Sequence, residues 1–276
     1  MPRTILVGLD GSAHGSSAIE FGISWAKESN ALLVGLGIID EPEIVQPVCV
    51  PPAGPASQER RSRAFLADAR RKVESYLQQF AIRCADAKVA CKVLEDVGLP
   101  SEQIMLEAQR YDLIVLGQQT YYAFETQWGA DETLQEVLRR SPRPVVVVPR
   151  EPAAGKAVVL AYDGSLQAAR TMQAFQAVGL HRLPVHVVSI LPDRVEAARC
   201  GSRAVDFLGF HGIKAELHAV GSSEKPGPEV LKQARQLEAG LVVMGAYGQS
   251  VWKEFFFGSV TQTMLNDSNI PLFIYH

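Results

Sequence analysis

Gly245, Gly248 and the pair Gly258-Ser259 are residues whose types and spacing suit one chemistry, the binding of an anion. Two residues separate the first two glycines and nine separate Gly248 from Gly258. Without a Cβ, Gly245 and Gly248 let the backbone turn sharply and approach a ligand closely. Gly258-Ser259 opens a helix whose first N–H groups lack intrahelical partners, an arrangement that favours phosphate. Ser259 and Thr261 bring hydroxyl donors to the same end. The elements that must position these groups flank them directly. Leu241–Met244 reads as a buried parallel strand and Val260–Leu265 as a helix, giving strand, glycine-bearing loop and helix N-terminus. The plainer reading is a strand-to-helix connection with a serine near its cap.

An acid at the opposite pole would orient a nucleotide on such a loop. Ala157–Tyr162 reads as a strand ended by Asp163-Gly164-Ser165. In an open parallel sheet, ligands bind beyond the carboxyl ends of the strands where strand order reverses. If the strands ending at Asp163 and Gly245 are neighbours there, Asp163 can accept hydrogen bonds from ribose hydroxyls or an adenine amino group. The turn DGSLQAAR is not GxGxxG, which disfavours a dinucleotide of the Rossmann kind. Taken alone, the same Asp-Gly turn is a helix cap.

Strand-like and helix-like runs alternate along the whole chain, which predicts parallel sheets covered on both faces. Thr4–Leu9, Ala31–Ile39, Lys88–Leu94, Leu113–Leu116 and Val145–Val148 read as strands, and Ser16–Lys27, Gln58–Phe80, Ser101–Gln109 and Glu132–Arg139 as helices. Pro42, Pro47, Pro51, Pro52 and Pro55 break Glu41–Ser57, which reads as a loop. The order then repeats. Asp163-Gly164-Ser165 echoes Asp10-Gly11-Ser12, and Pro271-Leu272-Phe273-Ile274 echoes Pro144-Val145-Val146-Val147, so the chain is an internal duplication. Asp163 follows Asp10 by 153 positions but Gly245 follows Gly117 by only 128, which locates an insertion of 25 residues at the proline-rich stretch. Two domains follow, 1–150 and 156–276, joined by the short linker Glu151–Lys156. Gly155-Lys156 precedes a strand and so cannot serve as a phosphate loop, which opens a helix.

Composition limits the partners. With 276 residues, 47% of them hydrophobic, the chain can bury substantial cores. A formal charge of −3 with no long basic run gives no footprint for nucleic acid and no pull toward an anionic membrane. No apolar stretch reaches membrane-span length and the start carries no signal-type segment, so a cytoplasmic chain is expected. Cys49, Cys84, Cys91 and Cys200 have neither CxxC spacing nor disulfide density, consistent with reduced, mostly buried thiols. His14, His186 and His218 have no second His or Cys at metal-ligand spacing, so no metal site is assigned. Trp252, Phe255, Phe256 and Phe257 read as core packing or loop anchors, Lys253 as solvated, and the basic start of the long first-half helix, Arg60, Arg61, Arg63, Arg70, Arg71 and Lys72, as a solvated face.

The spacing G-x2-G-x9-G-S, the flanking VVMG and SVT, the D-G-S after the first strand and the Pro-led last strand together resemble the universal stress proteins, in particular their tandem two-domain members. The resemblance covers essentially all of both halves. It implies α/β domains with open five-stranded parallel sheets of order 3-2-1-4-5, binding ATP, or AMP or ADP, with an accompanying Mg2+. It further implies that Asp163 is the adenosine-side carboxylate and that Ala161 with Ile190 or Leu191 walls the base pocket. On the same basis Met244, Gly245 and Gly248 lie under ribose and phosphate, and Gly258, Ser259, Val260 and Thr261 grip the phosphates. Last strands that pair between single-domain members would here pair within one chain, Val145–Val148 with Leu272–Tyr275, as an intramolecular pseudo-dimer. Homodimerisation and any protein partner are not readable.

The first half departs from the motif. Gly117 matches, but Thr120, Ala130 and Asp131 stand where the second half has Gly248, Gly258 and Ser259, and Glu132 follows. Carboxylates at that helix start repel an anion while suiting the helix dipole. The expectation is therefore one nucleotide per chain, in a regulatory protein of the stress response. A slow Mg2+-dependent ATPase and a scaffold with both sites silent are the alternatives.

Overall fold

The computed structural model describes residues 2–45, 55–122, 131–179, 183–246 and 259–276. The chain packs as two compact units, Arg3–Pro142 and Arg143–His276. In the first, β1 (Thr4–Leu9), β2 (Leu32–Ile39), β3 (Cys91–Val97) and β4 (Leu113–Gly117) form parallel ladders in the order β3-β2-β1-β4. Leu6 pairs with Val34 on one side and Ile114 on the other. The near-continuous apolar runs of β1, β2 and β4 are buried, as strands covered on both faces must be. Helices α1 (Ala13–Ser29), α3 (Pro55–Ala87), α4 (Pro100–Ala108) and α5 (Thr133–Arg140) alternate with them.

The stretch expected to be a loop is partly helical. Glu41–Val45 forms a short helix, α2, and α3 begins at Pro55. Pro42 and Pro55 lie in first helical turns, where a missing N–H breaks no bond. Ile44 fixes α2 by packing on Ile39, Ala69 and Val73. Residues 46–54, with Cys49 and the remaining prolines, lie outside the described residues. Helix α3 also runs seven residues beyond Phe80, carrying Phe80 and Cys84 into the core; Lys88 then ends it at φ 58°, so β3 starts at Cys91 rather than Lys88.

The second unit contains β5 (Val145–Val148), β6 (Ala157–Ala161), α6 (Leu166–Val178), β7 (Val185–Leu191), α7 (Arg194–Phe210), β8 (Ala215–Gly221), α8 (Pro226–Gln236), β9 (Ala239–Gly245), α9 (Ser259–Asp267) and β10 (Leu272–Tyr275). Strand order is β5-β10-β9-β6-β7-β8, so β6 to β10 reproduce the expected 3-2-1-4-5 arrangement. β5 joins this unit through an antiparallel ladder to β10, with Phe273 opposite Val146. The last strands of the two halves thus pair. Phe175 of α6 meets Phe273 edge-on, ring centres 6.0 Å apart, in the core beneath that ladder.

Among the described residues no helix is long and apolar enough to cross a membrane. Cys84, Cys91 and Cys200 are free thiols. Burial, with Cys91 alongside, pushes the Cys84 thiol up to about 12, so it behaves as a small apolar residue.

Candidate functional site

The two Asp-Gly-Ser turns fold alike. Gly11 (φ 72°) and Gly164 (φ 78°) take the left-handed conformation that glycine tolerates best. Ser12 and Ser165 cap α1 and α6, accepting from the N–H of Gly15 and Ala168 respectively. Asp10 Oδ1 accepts from Ser12 N at 3.0 Å, and Asp163 Oδ1 from Ser165 N at 2.9 Å. Turn and cap are therefore common to both halves and distinguish nothing. The surroundings of the two carboxylates do.

In the second unit β6 and β9 are neighbours, and β6 also pairs with β7. The order therefore reverses between β6 and β9, and Asp163, exposed, follows the carboxyl end of β6 at that switch point. Ala161 ends β6, while Ile190, buried, and Leu191, half-buried, end β7. Met244, buried, and Gly245 end β9. The strand positions from the sequence thus all sit at one end of the sheet. Helix α9 begins at Ser259, which is exposed; Val260 is half-buried, Thr261 is buried, and no acidic residue occupies its first turn. Gly248 and Gly258, with Trp252, Lys253 and Phe255 to Phe257, lie outside the described residues.

Gly245 has a packing reason of its own. A Cβ there would lie 2.7 Å from both Ala168 N and the carbonyl carbon of Gln167, in the first turn of α6. The absence of a side chain brings α6 down onto β9 and positions the Asp163 turn.

In the first unit the corresponding carboxylate is enclosed by described residues. Asp10 is only 7% exposed, and its Oδ2 accepts from Tyr121 N at 2.9 Å. Burial pushes its pKa up despite the lowering effect of the Ser12 and Tyr121 hydrogen bonds. Asp131 accepts from Tyr122 N at 2.7 Å and from Thr133 N at 2.8 Å, tying the segment after β4 to the start of α5. Tyr122 is buried, and its hydroxyl fills the space over Gly8 that a Cβ would take. Gly8 is the counterpart of Ala161, two residues before the turn in each half. Burial, then the charges of Asp10 and Asp131, raise the Tyr122 phenol well above its ordinary value, so it stays neutral. The sequence located the carboxylate at the helix start, but not the tyrosine, which lies in no motif.

The remaining candidates fall elsewhere. Arg63, Arg70, Arg71 and Lys72 pair with Glu59, Glu95 and Asp68 on the surface of the first unit, as a solvated face does. Lys156 pairs with Glu238. His186 and His218, separated by 32 positions in the chain, are brought side by side with Glu216 on β7 and β8. Spacing along the chain could not reveal this, because strand register makes the group.

A family model described as the universal stress protein family matches residues 1–149 and 209–276. Universal stress protein Slr1230 of Synechocystis sp. is 26% identical over 200 residues, covering 66% of this chain and 68% of that protein. A solved universal stress protein from Archaeoglobus fulgidus DSM 4304 has a TM-score of 0.71 at 19% identity, covering 99% of this chain and 97% of its own. At that identity the likeness speaks for the fold.

Proposed function

Since the chain belongs to the universal stress protein family, we propose that it is an adenine-nucleotide-binding regulatory protein of the stress response, holding ATP in its second half only. The observation that carries this reading is the contrast between the two carboxylates. Asp163 is exposed at the strand-order reversal, whereas Asp10 is buried and occupied by the N–H of Tyr121.

The residues present fit the nucleotide. Asp163 is acceptor-only when ionised, which suits ribose hydroxyls or an exocyclic amine. Ala161, Ile190 and Leu191 offer apolar wall for a base, and Met244 and Gly245 a floor beneath the sugar. Gly248, Gly258, Ser259, Val260 and Thr261 would hold phosphates through backbone N–H groups and hydroxyls, where the helix dipole favours negative charge. In the first half Asp131 already takes the Thr133 N–H and places a carboxylate at the corresponding helix start. A divalent ion such as Mg2+ would accompany the phosphates as their counterion. Binding ATP does not itself require turnover, and a nucleotide-dependent change of partner or conformation is the role proposed.

The test is thermal melting of the full chain with and without Mg2+-ATP, beside an Asp163→Ala variant. A ligand that binds only the folded state adds about 2.7 kcal/mol at a hundredfold excess over its Kd. Wild type should melt higher with ATP and the variant should not; unchanged melting of the wild type would defeat the reading.

A further inference from the structure

His186, Glu216 and His218 form a three-ligand group away from the nucleotide end. His186 is the second residue of β7; Glu216 and His218 lie on β8, the outermost strand of its unit's order. The register pairs His186 with Glu216 and Val188 with His218. Paired residues of adjacent strands, and residues two apart on one strand, share a sheet face, so all three side chains leave the same side. The face opposite is packed: a Cβ on Gly201 of α7 would touch Leu217 and Ser189, which alternate with the three.

The donor atoms converge. His186 Nδ1 lies 3.0 Å from His218 Nε2 and 3.6 Å from Glu216 Oε2, and His218 Nε2 lies 3.8 Å from Glu216 Oε1. Metal–ligand bonds of about 2.0–2.1 Å at tetrahedral angles set donor atoms about 3.3 Å apart. The two nitrogens are already within that spacing, each is approached by a different oxygen of Glu216, and one donor atom from each residue lies within 4.8 Å of the other two. The imidazoles are held before any ion arrives, at 16% and 24% side-chain exposure, while Glu216, at 69%, borders solvent. A His–His hydrogen bond accounts for the shortest separation alone. It does not account for a carboxylate approaching both ring nitrogens.

We propose that His186, Glu216 and His218 form a surface site for a first-row divalent transition ion, of which Zn2+ is the representative. Two imidazoles and one carboxylate suit zinc and its neighbours better than Mg2+ or Ca2+, which prefer all-oxygen shells. Three protein ligands leave a fourth position to water or to a donor from a partner. Ile190 lies four positions beyond His186 along β7, about 13 Å of strand, so this ion is distinct from any that accompanies a nucleotide. By bridging β7 and β8 it would pin the outermost strand to its only neighbour among the described residues. The site does not rest on the nucleotide reading.

The experiment is titration of Zn2+ into the full chain, stripped with chelator and free of nucleotide, using a chromophoric chelator as competitor. His186→Gln, His218→Gln and Glu216→Gln variants are compared with Cys91→Ser, because a half-buried thiol is another zinc ligand. Circular dichroism confirms that each variant is folded. The proposal expects one competing zinc per wild-type chain, retained in Cys91→Ser. It expects affinity to fall by tenfold or more in each histidine variant, and less in Glu216→Gln. No binding to the folded wild type, or binding undiminished in the His186→Gln and His218→Gln double variant, overturns it.

Discussion

The hydroxyl of Tyr122 occupies the space over Gly8 in which a side chain at position 8 would have to lie. It has no hydrogen-bond partner among the described residues. A buried unpartnered hydroxyl is a cost, commonly about 1–3 kcal/mol, so Tyr122→Phe should leave stability unchanged or raise it. Tyr122→Ala should instead lose about 3–5 kcal/mol by emptying an aromatic-sized space. Denaturant unfolding of both variants checks the pair of signs, and a clearly destabilised Tyr122→Phe would mean that the hydroxyl is satisfied after all.

Asp131 joins two segments by accepting from Tyr122 N and Thr133 N. Asp131→Ala should cost about 1–2 kcal/mol, as lost helix caps do, with part of it restored by Asp131→Asn. Equal stability of the alanine variant and wild type would show that these two hydrogen bonds contribute nothing net.

Burial raises the pKa of Asp10 above 3.8, so folding disfavours its ionised form. The associated stability is fully present below 3.8 and is lost as pH rises through the raised folded value. Wild type should therefore gain on Asp10→Asn as pH is lowered from 7 toward that value, within the range where the protein stays folded. Unfolding curves for both proteins across this range make the comparison. The opposite slope would show that the two backbone donors outweigh burial.

Gly245 and Asp163 should separate packing from binding. Gly245→Val drives a side chain into the backbone of α6 and should destabilise the protein by about 1–3 kcal/mol without any ligand present. Asp163→Asn keeps an oxygen for Ser165 N at an exposed position, so stability should stay within about 0.5 kcal/mol of wild type. Its affinity for ATP should nevertheless fall about tenfold or more, since hydrogen bonds to a charged group are worth about 1.5–3 kcal/mol. Calorimetry and melting on the same samples would show the two effects dissociate, and a Gly245→Val protein as stable as wild type would reverse the argument.

The strands were legible because buried parallel strands are continuous apolar runs with little else they can form; Thr4–Leu9 and Val145–Val148 match residue for residue. The duplicated Asp-Gly-Ser turns were legible because their geometry is local: a glycine at positive φ, a serine cap and an Asp accepting two residues on. Where tertiary packing decides, the residues alone misled. Prolines at 42 and 55 read as breakers but lie in the first turns of helices, and Ile44 packs the first of these helices onto Ala69 and Val73 of α3. Gly245 has, beside its proposed place at the ligand, a packing requirement against α6 that the sequence did not reveal. Tyr122 carried no signal, because its role depends on a fold-back over a strand more than a hundred residues away. The meeting of His186 and His218 carried no signal for a similar reason, since it is a matter of β7–β8 register.

On the proposed reading, two copies of one fold share a turn but not a ligand. Equilibrium dialysis of the full chain against labelled ATP with Mg2+, taken to saturation, tests it most directly. The account predicts one nucleotide per chain, lost in Asp163→Ala and kept in Asp10→Asn. Two nucleotides per chain, or one that survives Asp163→Ala and disappears with Asp10→Asn, would contradict it.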